Sequence, residues 1–87
     1  MSLKLLGSQA ACGTNVAGAS TFSGAPNVRL FNSGSTIRLI TVANSADATL
    51  ATVSLAGGEV IVLKKSPDDQ VFAAHAEILG VGCITEN

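Results

Sequence analysis

Residues 36–65 read TIRLITVANSADATLATVSLAGGEVIVLKK, and this run decides the fold class. It holds three β-rich segments separated by turn chemistry. Thr36 to Ala43 is the first segment. Asn44-Ser45-Ala46-Asp47-Ala48 follows, where Asn, Ser and Asp can bond their own backbone and reverse the chain. Thr49 to Leu55 is the second segment. Its alternation puts Ala51, Val53 and Leu55 on one face and Leu50, Thr52 and Ser54 on the other. Ala56-Gly57-Gly58-Glu59 then reads as a tight hairpin, because Gly-Gly can take positive φ at both central positions of a type I′ turn. Val60-Ile61-Val62-Leu63 is the third segment. Four consecutive aliphatic residues predict a strand covered on both faces. A second sheet can cover one face, and the other needs residues 7–27 or another subunit.

The pattern extends in both directions. Upstream, Val28 to Phe31 is β-rich and Asn32-Ser33-Gly34-Ser35 is a turn, so a hairpin with Thr36 to Ala43 is expected. The similarity of VRLF and IRLI is taken as strand pairing and not as a domain repeat. Downstream, Ser66-Pro67-Asp68-Asp69 carries a helix-start signature. Val71, His75 and Leu79 keep helical spacing, so residues 67–76 read either as helix or as one 3-10 turn followed by strand. The second reading suits the surrounding β pattern. Leu79 to Thr85 makes the last strand, and Gly80 and Gly82 leave one of its faces open to close approach by another backbone. Leu3 to Leu6 makes a short first strand, ended by Gly7. Residues 7–27 are rich in Gly, Ala, Ser and Thr. They read as an extended arm or long loop, with a short strand near Thr21-Phe22, either loose on the surface or ordered against a neighbouring subunit.

These elements amount to one domain over residues 1–87. The expected class is all-β: a small antiparallel sandwich, immunoglobulin-like, or a partly open barrel. A chain of this length hides only about 60% of its surface on folding, so a partner surface can matter to its stability. Only 13% of residues are charged, against about 25% in ordinary globular domains. Much of the surface is therefore expected to be covered. The net charge of −1 gives no electrostatic footprint for nucleic acid. No apolar run is long enough for a membrane-spanning helix, and MSLKLLG lacks a full signal-peptide core. Cys12 and Cys83 are expected as two free thiols in a reducing compartment.

Candidate chemistry finds structural explanations throughout. His75 is the sole histidine, and no Ser or Cys motif marks a nucleophile beside it. Asp68 and Asp69 suit turn capping better than Ca²⁺ binding. Gly57-Gly58 lacks the Lys-Ser/Thr of a phosphate loop. Arg29, Arg38, Lys64 and Lys65 are too sparse for a nucleic-acid stripe. The expectation is a non-enzymatic protein with no cofactor and no metal. A carbohydrate- or host-surface-binding module is an alternative, although the absence of Trp and Tyr removes the usual stacking platforms.

The order of features resembles small structural proteins of tailed bacteriophages, particularly those infecting marine cyanobacteria. The resemblance rests on the MSLKLLG start, the segment ending ITVA, the strand before GGE, the run VIVLKKSPDDQVFA and the Gly-containing last strand. It covers about two-thirds of the chain, and residues 7–27 depart from it. It implies a virion component assembled in many copies in the host cytoplasm. The form expected is a capsid decoration or cement protein that meets the major capsid protein or other virion subunits, with a neck, tail or fibre part as the alternative. Homo-oligomer formation is expected too. It carries over no active site. The residues expected at an interface are Phe22, Val60, Ile61, Val62 and Leu63.

Overall fold

A computed structural model describes residues 2–86, with side chains from 3 to 85. The strands are β1 (Ser2–Leu5), β2 (Ala10–Ala11), β3 (Asn27–Asn32), β4 (Arg38–Ala43), β5 (Thr49–Leu55), β6 (Val60–Lys64), β7 (Gln70–Ala73) and β8 (Ile78–Glu86). They form two antiparallel sheets. The larger has the order β1-β8-β3-β6, with β2 continuing along β8 beyond β1, and the smaller has the order β5-β4-β7. The fold is thus an all-β sandwich, as the alternating sequence predicts.

Period-2 alternation builds the core. In β3, Val28, Leu30 and Asn32 are buried, while Asn27, Arg29 and Phe31 are only half-buried. Val28 and Leu30 meet Ile40 of β4, Leu55 of β5, Val71 of β7 and Ile78 of β8 between the sheets. Burying a Leu, Ile or Val side chain contributes about 1.5–3 kcal/mol, so this cluster is the main force joining the layers.

The β4–β5 hairpin forms as expected. Asn44 Oδ1 accepts from the N–H groups of Ala46 and Ala48 at 2.9 and 3.0 Å, and Asp47 takes a left-handed φ of 65°. The pairing slips by one residue between Val42 and Ala43. Ser66-Pro67-Asp68-Asp69 makes a single turn, closed by Asp69 N–H donating to Ser66 O at 3.0 Å, and β7 follows directly.

Two expected hairpins do not form. Val28 to Phe31 does not pair with Thr36 to Ala43, because β3 lies between β8 and β6 while β4 lies in the other sheet. Asn32 holds the corner between them. Its Nδ2 donates to Thr36 O at 2.7 Å and Leu55 O at 2.9 Å, and its Oδ1 accepts from Gly34 N–H at 2.9 Å. The Gly57-Gly58 turn likewise carries the chain from β5 in one sheet to β6 in the other. Only Gly58 needs positive φ, at 78°. Gly57 is required by proximity, since a Cβ there would lie 2.7 Å from the Ser35 Cα.

Residues 7–27 fold back over the chain's own sandwich. Cys12 N–H donates to Ile78 O, Ala73 N–H to Gly13 O, and Ser20 and Val71 exchange backbone bonds at 2.9 and 3.2 Å. A 3-10 turn at Val16–Gly18 is capped by the Asn15 side chain. Phe22 and Ser23 adopt left-handed φ of 53° and 60°, strain of about 1–3 kcal/mol each that the surrounding packing must offset. Gly80 and Gly82 receive this turn. A Cβ at Gly80 would lie 2.9 Å from the Phe22 ring, and one at Gly82 would lie 2.8 Å from Ala25 Cβ and Phe22 O.

The run Val60 to Leu63 corrects another expectation. Its strand β6 is an edge strand. Ile61 and Leu63 pack against the core, but Val60 and Val62 stay 43% and 41% exposed. The described residues supply only two layers, and none of them covers the outer side chains of this strand fully.

Candidate functional site

Arg38, Glu77, His75, Lys65 and Asp69 are engaged in structural bonds. Arg38 on β4 donates from Nε to Glu77 Oε1 at 2.5 Å, tying the smaller sheet to the loop before β8. The Glu77 N–H donates to His75 Nδ1 at 3.1 Å. The same nitrogen lies 3.6 Å from Glu77 Oε1. Among the described residues no three His, Cys, Asp or Glu side chains gather as a metal site.

A cleft of about 340 Å³ lies between residues 6–13, the Ser20–Ser23 turn and Gly80–Gly82. Cys12 borders it, but burial pushes this thiol up to about 11, so the nucleophilic thiolate is scarce at neutral pH. Burial also raises Cys83, opposed by the Arg29 charge. Both cysteines are unpaired. Lys65 is buried, its ammonium donating to Ser66 O and Pro67 O at 3.3 and 3.4 Å. Desolvation lowers its pKa, while Asp69 and Asp68 oppose that shift. Asp69 Oδ2 also accepts from Ser66 N–H at 3.1 Å. Asp69 thus serves the turn.

The outer face of the larger sheet is the more distinctive surface. Antiparallel register places side chains of paired residues on the same face. One row across β8, β3 and β6 is Leu79, Phe31 and Val60, and the next is Val81, Arg29 and Val62. β1 extends this face with Leu5 opposite Cys83 and Leu3 opposite Thr85. Leu3, Leu5, Val60 and Val62 are all at least 41% exposed. The third row is Cys83, Asn27 and Lys64, so the exposed Lys64 joins Arg29 as a cation on this face, and Arg29 Nη1 donates to Gln9 Oε1 at 3.4 Å. A face this apolar suits contact with another surface.

The residues expected at an interface therefore separate. Val60 and Val62 lie on the outer face. Ile61 and Leu63 point into the sandwich at its open edge, and Phe22 packs against the protein's own Gly80. Leu3 and Leu5 were not among the expected residues. Their alternation with Lys4 was the available signal, since it puts both leucines on one face of a strand. The chain matches no protein-family model, no curated protein and no solved structure.

Proposed function

We propose that the protein is a non-enzymatic structural component of a bacteriophage virion, acting as a capsid decoration or cement protein against major capsid subunits. The observation that carries this reading is the outer face of the larger sheet, where Leu3 and Leu5 are exposed at the β1 edge and Val60 and Val62 at the β6 edge, with Arg29 on the strand between them. An apolar face carrying the cations Arg29 and Lys64 suits a protein surface of apolar groups and acidic residues. The order of features shared with small phage structural proteins supplies the virion context. The engagement of His75 with a backbone N–H and the raised Cys12 thiol favour a structural role over catalysis.

The test is co-sedimentation with DNA-free phage heads, with the solution mass measured in parallel by light scattering. Decoration requires saturable binding in hundreds of copies per head, lost in Leu3→Asp and Leu5→Asp, which leave the core intact. A closed ring that ignores heads replaces this reading with a neck or tail part. A protein that ignores heads but binds glycans on an array replaces it with a host-surface module.

A further inference from the structure

The two sides of the sandwich are finished differently. On one side, residues 7–27 seal the margin. Gly13 and Ser20 bond to β7, Cys12 bonds to β8, and Val71, Ala73 and Ile78 are fully buried. On the other side, β5 and β6 end their sheets, and among the described residues no further strand pairs with either outer edge. Their inward residues Val53, Ile61 and Leu63 touch the core yet remain only partly buried.

The backbone on that side is also free. Ala74 N–H donates to Leu39 O at 2.8 Å, so Leu39 and Thr41 of β4 turn their polar groups toward β7. Ile40 and Val42 then serve β5 through Val53 and Ala51. Alternation leaves Thr52 and Ser54 with N–H and C=O pointing away from the sheet. In the larger sheet, Asn32 exchanges bonds with Gly58 and Glu59, so Leu30 and Val28 serve Ile61 and Leu63. Val60, Val62 and Lys64 are left with outward backbone groups.

We propose that this side is a self-association surface, where a second copy pairs β6 with β6 and β5 with β5 about a two-fold axis normal to the sheets. The chemistry of both strands is self-complementary. An antiparallel β6 pair centred on Val62 sets Val62 against Val62 and Val60 against Lys64, all residues with free backbone groups. The strand β5 has no charged residue and no proline from Thr49 to Leu55, so self-pairing meets no like charges. Edges that must stay single are guarded by charges, proline or bulges. Here β5 has only the irregularity opposite Val42 and Ala43, and β6 carries the one charge Lys64 at its end. The second copy closes the open core over Val53, Ile61 and Leu63. The chain's extents of 34 × 31 × 19 Å allow roughly 600 Å² per copy, at the lower limit for a specific interface. An interface at this limit is expected to associate weakly and reversibly. This surface lies beside the outer face assigned to the shell, and the pairing does not depend on the virion reading.

The test is sedimentation velocity on the full chain from 1 to 300 µM, with amide exchange measured at both limits. A monomer–dimer equilibrium is expected, with Thr52, Ser54, Val60 and Val62 protected only at high concentration. Thr52→Pro and Val62→Pro remove N–H groups that the monomer does not use, so each variant folds while its dimer weakens at least tenfold. A chain still monomeric at 300 µM overturns the proposal. A dimer that survives both prolines overturns it as well, because the contact then lies elsewhere. Protection of these amides only after adding DNA-free heads overturns it in favour of a strand from the shell.

Discussion

Asn32 is the side chain on which the corner between the sheets depends, and Asn32→Asp tests that reading. The residue is 0% exposed. Its amide makes two donor bonds, to Thr36 O and Leu55 O, and one acceptor bond, from Gly34 N–H. Asp keeps the shape and the acceptor but replaces both donor hydrogens with a carboxylate oxygen facing two carbonyls. Two lost bonds and an uncompensated buried charge together cost about 3–5 kcal/mol at pH 7. An 87-residue domain has about 4–13 kcal/mol in total, so the variant sits near its unfolding threshold. Burial holds the new carboxyl above its unfolded value of about 3.9. The native state then binds more protons than the unfolded state above that pH, so stability falls as pH rises, by up to about 1.4 kcal/mol per unit. Urea unfolding followed by far-ultraviolet circular dichroism suits a chain without Trp or Tyr. Asn32→Leu serves as the control: it loses the same donors and shows no added pH slope. A variant Asp within 1 kcal/mol of the parent at pH 7, or with the parent's pH dependence from 4 to 7, refutes this account of the corner.

Two further outcomes follow from the interior. With Cys12 held at about 11 against an ordinary 9.0, its thiolate is about 100-fold scarcer at pH 8, and thiol-reagent labelling is slower by at least that factor until urea is added; rapid native labelling of Cys12 contradicts the assignment. The native state keeps this proton longer than the unfolded state, so the Cys12 contribution to stability is complete below about pH 9 and is lost as pH rises toward 11. A Cβ at Gly34 would overlap the Glu77 carboxylate, so Gly34→Ala should move Glu77 off Arg38 at a cost of about 1–2 kcal/mol. Adding Glu77→Ala to Gly34→Ala should then cost less than Glu77→Ala costs alone, and strict additivity in a double-mutant cycle counts against the clash.

What could be read from the sequence is local, and what could not depends on partners distant along the chain. Alternation in Thr49 to Leu55 puts Val53 and Leu55 on the face that meets the core, because the pleat repeats every two residues whatever lies opposite. It does not say which sheet a strand joins. The hairpin expected between β3 and β4 fails because the inward residues of both strands must face each other across the core. The Gly57-Gly58 dipeptide has two physical causes, positive φ and close approach, and the atom that separates them belongs to Ser35. Asn32 reads as a turn residue, since its bond to Leu55 O spans 23 positions.

The run Val60 to Leu63 differs from these misreadings. Its pattern asks for cover on both faces, and the chain covers one. The other half of that pattern remains exposed as Val60 and Val62, on a strand whose outward backbone groups are also free. A sequence that spends aliphatic residues on an uncovered face, while its charges stay at 13%, is solving a packing problem larger than one chain. Both proposals follow from that mismatch. The exposed valine side chains extend the face offered to a shell, and the backbone beside them offers a second copy its register. The two contacts use different atoms of the same strand, so one molecule can make both at once.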